Sequence, residues 1–263
     1  LSLKAEKHFN FGLDLMASYS FTNSKSVGSP TSSVAQSNWR NTHTYRYSNK
    51  PELANSAFNI PHVIKASAFY HIDYGRNKMF TTTIGLIYQG SSGSPYSVIY
   101  NGDINGDNGT SNDLFFIPTD EQIDQMPFKA TKAYSVDAQR ANLKEWLANT
   151  PYLRDHRGEY YKRYADNLPF ESHFDLHVAQ KFNLKVGSYV HSLELSLDIM
   201  NVANLLNKDW GRTYSSGYVS EFMSPVTYSK GEYQFLQPAD YVLKYPNTYY
   251  SRWRGQIGLK YTF

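Results

Sequence analysis

The sequence predicts an all-β fold: the strands of a transmembrane antiparallel β-barrel with long extracellular loops. Apolar and polar residues alternate strictly in several segments, and short and long connections alternate between these segments. Aromatic residues make up 16% of the 263 residues, although the mean hydropathy is −0.55. A membrane barrel has such a composition because only every second strand residue meets lipid, while its loops are polar.

The clearest alternating segment covers residues 9–22, with apolar side chains on one face and mainly polar or small side chains on the other. The apolar face carries Phe9, Phe11, Leu13, Leu15, Ala17, Tyr19 and Phe21. The opposite face carries Asn10, Gly12, Asp14, Met16, Ser18, Ser20 and Thr22. A tilted strand needs roughly 9–11 residues to cross a bilayer, so this segment is long enough to do so.

The same period of two recurs in further segments, which are residues 62–74, 79–89, 172–184, 190–200 and 252–263. Their charged residues keep to the polar face, and a Lys or Arg on the lipid face at mid-membrane would cost about 2–4 kcal/mol. Aromatic residues lie near the strand ends, as in the interfacial girdles of a barrel. These aromatics are Phe9, Tyr19, Tyr70, Phe80, Tyr88, Phe174, Phe182, Trp253 and Phe263.

Connection lengths predict which strand ends lie on the same side. Short turns are expected at 75–78 and 185–189, and long connections at 23–61, 90–171 and 201–251. Outer-membrane barrels have short periplasmic turns and longer extracellular loops. About six strands cannot close a barrel with a useful lumen, and open edges are not tolerated in lipid. We therefore expect residues 1–263 to be the C-terminal segment of a longer barrel.

Charge and cysteine content exclude several classes of function. The net charge is +3, from 26 Lys and Arg against 23 Asp and Glu, which argues against a nucleic-acid partner. The absence of Cys excludes a disulfide framework and thiol catalysis. Residues 1–7 do not form a signal peptide, and no run of about 18 apolar residues predicts a transmembrane helix. Composition alone leaves a secreted, tyrosine-rich β-sandwich open.

Oxygen-bearing side chains are concentrated in one loop and make a candidate calcium site. They are Asp103, Asn105, Asp107, Asn112 and Asp113. Ca²⁺ takes six to eight oxygen ligands, which alternating Asp and Asn in a turn can supply. The loop departs from the EF-hand pattern because Asn108 stands at the sixth position and the twelfth has no Glu. The alternative is a cluster of tight turns, which Asn, Asp and Gly also favour.

Other polar clusters carry weaker functional hypotheses. His173, Asp175 and His177 share one strand face and could share a metal, or could be polar residues facing the lumen. No nucleophile motif such as G-x-S-x-G occurs, so we expect no enzyme.

Two helix starts are predicted inside the longest connection. Residues 119–122 match a capping box, and Ser135 can cap a helix that reaches about Ala148. Its apolar stripe, at Leu143, Trp146 and Leu147, could dock a surface lipoprotein or pack on the barrel rim.

The chain end resembles the C-terminal assembly signal of outer-membrane proteins, a polar-x-Gly-x-x-hydrophobic-x-aromatic pattern. The matching residues are Gln256, Gly258, Tyr261 and Phe263. The resemblance implies an outer-membrane location in a Gram-negative bacterium, contact with outer-membrane lipid, and recognition by the barrel-assembly machinery.

Internal motifs resemble one transporter family. Residues 204–211 look like the NLLNK-x-WG element near the end of TonB-dependent receptors. Residues 157–160, 169–170 and 174–176 resemble the RG-x-Y, P-W and D-L elements of the Oar-like, SusC-related branch of Bacteroidetes, with Phe170 where Trp is common. Residues 102–107, 112–114 and 117–118 fit the same branch. The family implies a 22-stranded barrel, an N-terminal plug and a TonB box that contacts the TonB complex.

These observations leave three functional hypotheses. The first is TonB-dependent uptake of a solute, which could be a peptide, a glycan or a chelate. The second is a structural or adhesive outer-membrane barrel without TonB coupling. The third is a secreted β-sandwich that binds a ligand. An upstream plug and TonB box would separate the first from the second, and solubility without detergent would favour the third.

Overall fold

The computed structural model describes residues 1–28, 32–187, 189–215, 222–237 and 245–263. Its strands are β1 (Ser2–His8), β2 (Leu13–Phe21), β3 (Lys25–Ser26), β4 (Ala54–Asn55), β5 (His62–Tyr74), β6 (Phe80–Ser91), β7 (Pro95–Asn101), β8 (Asp166–Asn167), β9 (Glu171–Val186), β10 (Tyr189–Met200), β11 (Tyr214–Ser215), β12 (Phe222–Ser229), β13 (Glu232–Phe235), β14 (Tyr245–Pro246) and β15 (Arg254–Thr262). Its helices are α1 (Ala35–Arg40), α2 (Asp120–Gln125), α3 (Val136–Asn149), α4 (Pro151–Asp155) and α5 (Val202–Leu206). Across these described ranges, no helix is long and apolar enough to span a membrane.

A large antiparallel sheet contains all the predicted alternating segments. In the described ranges it has seven strands in the order β1-β2-β5-β6-β9-β10-β15. The register aligns the apolar faces across neighbouring strands: Leu13 lies opposite Tyr70, and Tyr70 opposite Ile84. Because facing residues point to the same side of a sheet, one side of the whole sheet is apolar. Ala179 is the only apolar side chain of this sheet that is buried among the described residues.

The beginning of the sheet differs from the prediction. Residues 9–22 are not one strand, because β1 pairs with β2 through a turn at residues 9–12 and adds a seventh strand to the expected six. Gly12 has φ +93°, and a Cβ there would lie 2.3 Å from the carbonyl oxygen of His71. Phe9 and Phe11 therefore belong to the turn, with their rings 5.2 Å apart, rather than to a lipid-facing strand.

Aromatic rows flank the apolar face at both ends, as predicted for interfacial girdles. At the short-turn end, Phe80 lies beside Tyr74 and Phe182, with ring centroids 5.4 and 5.7 Å apart. At the other end, Tyr88 lies 4.8 Å from Phe174. Phe80 and Tyr88 are eight positions apart on β6, which corresponds to a distance of about 27 Å along the strand. After strand tilt this length is comparable to the apolar band of about 25 Å in outer-membrane barrels.

Connection lengths follow the prediction, although the long connections are folded rather than open loops. β1 joins β2 and β5 joins β6 through short turns, whereas 22–61, 92–170 and 201–253 are long. Parts of the third connection, including residues 216–221 and 238–244, lie outside the described residues. Described parts of the second and third connections form one unit, which we call the loop body: β7, β8, β12, β13 and α2–α4.

The loop body has its own hydrophobic core, and helix α3 is part of it. Thr119 forms the predicted capping box with Gln122, and Ser135 accepts a hydrogen bond from the Ala138 backbone N–H at the start of α3. The predicted stripe of α3 is buried, and the ring of Trp146 packs against Phe115 and Phe235. The stripe therefore fills the core of the loop body, as expected for a packed helix, and is not an exposed surface for a lipoprotein.

Candidate functional site

Three neighbouring polar residues of β9, which were candidates for a metal site, each have a different partner. His177 Nδ1 lies 2.6 Å from Asp198 Oδ1, and His173 Nε2 lies 3.7 Å from Glu171 Oε2. Asp175 Oδ1 accepts the backbone N–H of Asn201 at 2.7 Å. The three residues of the metal hypothesis thus have separate partners, and the polar-lining alternative fits them better.

The NLLNK-x-WG element lies in a compact segment that follows the end of β10, residues 201–211, which we call the knuckle. Asn201 has φ +55°, and its side-chain Nδ2 donates to the carbonyl oxygens of Gly211 and Ser251, both at 2.8 Å. Gly211 has φ +59°, and a Cβ there would lie 1.9 Å from Asn201 Oδ1. Packing therefore explains both Gly211 at the end of the motif and Asn201, three residues before its start.

Replacing Gly211 by Ala is expected to destabilise this knuckle. The left-handed backbone and the contact with Asn201 together should cost roughly 1–3 kcal/mol. Gly231→Ala is a matched control, because Gly231 also has positive φ, +84°, but nothing lies within 4 Å of its Cβ position. Thermal unfolding of both variants checks this, and an equal loss in both would show that the Asn201 contact is unimportant.

The predicted assembly signal lies on β15, at one edge of the sheet. Tyr261 OH lies 2.8 Å from His191 Nδ1, and Phe263 is 87% exposed. A Cβ at Gly258 would meet Ser196 Oγ at 2.5 Å, so Gly258 allows the two strands to pair closely. Gln256 lies opposite Asp198 in the same ladder. Recognition of these residues by the assembly machinery stays a prediction.

The predicted calcium residues lie together in one tight loop. Asp103 accepts the backbone N–H groups of Gly106, Asp107 and Asn108 at 2.7, 3.2 and 2.8 Å, so its carboxylate holds the turn. The Nδ2 of Asn105 contacts Oδ2 of Asp107 and Oδ1 of Asp113. In the described part of the chain, no group of three His, Cys, Asp or Glu side chains has a metal-site arrangement.

Asp113 and Asn112 lie at the base of this loop and are buried. Burial raises the pKa of Asp113 to about 6, and the charges of Asp107 and Asp103 act in the same direction. Asn112 Nδ2 donates to Asp107 Oδ2 and to Ser48 Oγ, both at 3.2 Å. Ser48 Oγ itself donates to Asp107 Oδ2 at 2.9 Å. No local sequence pattern links Ser48 to this loop, because Ser48 belongs to the first long connection.

A cavity of about 840 Å³ lies between the first long connection and the loop body. Its lining residues are Lys25, His43, Thr44, Tyr45, Arg46, Glu52, Leu53, Ala54, Asn55, Leu114, Tyr152, His156, Glu159, Tyr160, Tyr161, Lys162, Arg163 and Ala165. The rings of Tyr45 and Tyr160 stack with centroids 4.7 Å apart. Lys and Arg side chains outnumber the two carboxylates, Glu52 and Glu159, in this lining. The cavity thus offers aromatic surface and an excess of positive charge.

A buried arginine and a buried histidine, Arg163 and His43, form part of the wall of this cavity. Arg163 donates to the carbonyl oxygens of Val27, Ser26 and Glu52 at 2.9, 2.5 and 3.2 Å, and burial lowers its pKa. Burial, and then the charge of Arg163, lower the pKa of His43 to about 3. His43 is therefore neutral near pH 7. Sequence reasoning missed this cavity because its walls come from segments that are far apart in the chain.

Comparison with known proteins gives one family match. A protein-family model described as an outer membrane beta barrel domain matches residues 1–218. No curated protein and no solved structure matches the chain. The matched residues include every strand of the seven-stranded sheet except β15, together with the first two long connections.

Proposed function

Because the chain belongs to the outer membrane β-barrel domain family, and so is an outer-membrane protein, we propose that it imports a solute by TonB-dependent transport. The observation that carries this proposal is the cavity of about 840 Å³ in the folded long connections. Ligand cavities typically have about 300–1,000 Å³. A barrel with a purely structural role has no need for such a cavity at the ends of its strands.

The lining of the cavity indicates the class of solute. Tyr45 and Tyr160 present aromatic faces, and Arg46 lies over the Tyr45 ring at 5.1 Å. Aromatic faces with adjacent cations suit a peptide, a glycan or a chelate that carries acidic groups. Arg163 is not part of this recognition, because its guanidinium donates to three backbone carbonyls.

The open sheet is compatible with a large transporter barrel. In an antiparallel sheet of seven strands the two edge strands, β1 and β15, run parallel to each other. Single-chain bacterial barrels are antiparallel with even strand numbers, so closure requires an odd number of additional strands. A 22-stranded barrel of the transporter class would need about fifteen more. Their pairing would also satisfy the backbone groups of both edges, which lipid cannot do.

The proposal includes partners that act through other parts of the protein. TonB would contact a TonB box near the N-terminus, and a plug would share ligand contacts with the loop body. The assembly machinery would recognise β15 through Phe263, and a surface lipoprotein could cover the loop body.

The alternative is a structural or adhesive barrel without TonB coupling. The same apolar sheet face and folded connections would serve such a protein equally well. What favours transport is the cavity, and a test must therefore separate the effect of the cavity from the effect of the barrel.

The test compares cells that produce the intact protein with Tyr160→Ala cells and with TonB-deficient cells. Defined media supply an oligopeptide mixture, an oligosaccharide or a ferric chelate as the limiting nutrient, and growth is measured in each. Wild-type cells should grow faster than deletion cells in at least one medium. This advantage should disappear without TonB and fall strongly with Tyr160→Ala, which removes one face of the aromatic stack.

Tyr47→Ala is the matched control, because Tyr47 is exposed in the first connection and does not line the cavity. It should grow like the wild type, and surface labelling should show equal amounts of all variants. An advantage that persists without TonB would favour the alternative function. Equal growth of deletion and wild-type cells in every medium would also contradict uptake.

A further inference from the structure

The acidic loop, residues 103–113, lies where the first long connection meets the loop body. The backbone N–H of Thr44 donates to the Asn112 carbonyl at 2.8 Å, and that of Leu114 donates to the Thr44 carbonyl at 2.9 Å. Ser48 Oγ also donates a hydrogen bond to Asp107 Oδ2. The acidic loop therefore contacts the first long connection as well as its own, although the two are distant in sequence.

The acidic loop collects negative charge without a cationic partner. Among the ion pairs of the described residues, none involves Asp103, Asp107 or Asp113. Asp107 and Asp113 instead approach the same amide nitrogen, Nδ2 of Asn105. Asp113 is buried, and buried charges in proteins are normally paired or bind a metal.

An independent feature of the same loop is a buried acceptor without a donor. Asn112 is 1% exposed, and its Oδ1 has no hydrogen-bond partner. This amide packs inside the acidic loop, since a Cβ at Gly109 would lie 2.3 Å from Oδ1. A buried acceptor without a donor is unfavourable, and a bound cation would remove that cost.

We propose that the acidic loop binds Ca²⁺. The ligands are the side-chain oxygens of Asp103, Asn105, Asp107, Asn112 and Asp113, with Ser48 Oγ from the first connection. Hard oxygen donors of mixed charge, at irregular spacing, suit Ca²⁺, which accepts six to eight ligands in flexible geometry. Mg²⁺ requires near-ideal octahedral geometry and keeps its waters, so it fits this loop less well.

A bound ion would fasten the first long connection to the loop body. Asn105 and Asn112 both direct Nδ2 at Asp107 Oδ2, so each turns its amide on binding and presents its oxygen to the ion. For Asn112 this gives a partner to the oxygen that otherwise has none. Asp107 and Asp113 then have a counter-charge between them. The wall of the cavity is thereby held, because Thr44 and Leu114 belong both to this junction and to the cavity lining.

The test is calorimetric titration of the intact protein in lipid nanodiscs with CaCl₂, and separately with MgCl₂. Wild-type protein should bind Ca²⁺ with a Kd of about 10⁻⁴–10⁻³ M, as extracellular calcium modules do. Asp107→Asn should weaken binding at least about tenfold, because it removes a charged ligand. Asp137→Asn, a carboxylate on the exposed side of α3 with 95% of its side chain exposed, should leave binding unchanged.

A second variant keeps the test informative if Asp107→Asn fails to fold. Asn112→Asp adds a carboxylate at the buried position, so it should tighten Ca²⁺ binding and lower the thermal midpoint without Ca²⁺. A mere cluster of turns would show only the lower midpoint. No heat of binding up to about 10 mM Ca²⁺, which exceeds the range for extracellular modules, would overturn the proposal. Equal affinity for Mg²⁺, or unchanged affinity in Asp107→Asn, would also overturn it.

Discussion

Leu197→Arg is expected to lower the free energy of unfolding in a bilayer by about 2–4 kcal/mol, the penalty for a cation at the midplane of a barrel surface. Leu197 lies on β10 between Val178 and Ile257 on the apolar face. Its row is about midway between the aromatic row of Phe182 and that of Phe174. Refolding of the intact protein into lipid vesicles, followed across a urea gradient, measures the effect.

Ser196→Arg is the matched control, one residue away on the opposite face. Ser196 lies between Ala179 and Gly258 on the polar face. The same charge there meets the polar interior and should cost far less. Neighbouring strand residues point to opposite faces, so a register error of one residue would reverse the two results. Equal penalties would contradict the assignment of the lipid face.

Trp146→Ala is expected to destabilise the loop body by about 3–5 kcal/mol, as is typical when a large aromatic is removed from a core. Trp146 is 2% exposed and packs against both Phe115 and Phe235. Limited proteolysis measures the effect. When the loop body unfolds and refolds faster than the protease cleaves, the cleavage rate is proportional to the unfolded fraction. Cleavage in the loop body should therefore become at least about a hundredfold faster.

Glu145→Ala on the same helix is the control, because Glu145 is exposed. It should be cleaved at the wild-type rate. The strands should stay protected in the bilayer in both variants, since their lipid contacts do not depend on α3. Cleavage of Trp146→Ala at the rate of Glu145→Ala would show that the loop body has no cooperative core.

Alternation predicted the lipid-facing sheet well, because period two is a local property of the sequence. It failed at the first strand, where Lys7 lies opposite Leu15 on the apolar face. Lys7 stands near the turn, over the ring of Phe9 at 5.6 Å, so a charge there is tolerated. The alternation of apolar residues also continues through Phe9 and Phe11, which lie in the turn. Gly12 was the only residue that indicated this turn.

Capping residues predicted α2 and α3 in the longest connection, because a helix cap depends on only about four consecutive residues. The short helix α4 was not predicted. The core of the loop body could not be predicted in the same way. Trp146 meets Phe235 across a long stretch of chain, and β12 pairs in parallel with β7. The cavity and the role of Ser48 likewise depend on contacts between distant segments. The acidic loop was identified because its Asp and Asn residues are neighbours in sequence.

Lipid quenching at adjacent positions of β10 tests the central claim, that one face of the sheet lies against the bilayer. A fluorophore is attached at position 197 or at position 196 of the intact protein, which is then reconstituted with brominated lipids. We expect strong quenching at 197 and little at 196, because the two side chains point to opposite faces. Equal quenching at both positions, or none at 197, would contradict it.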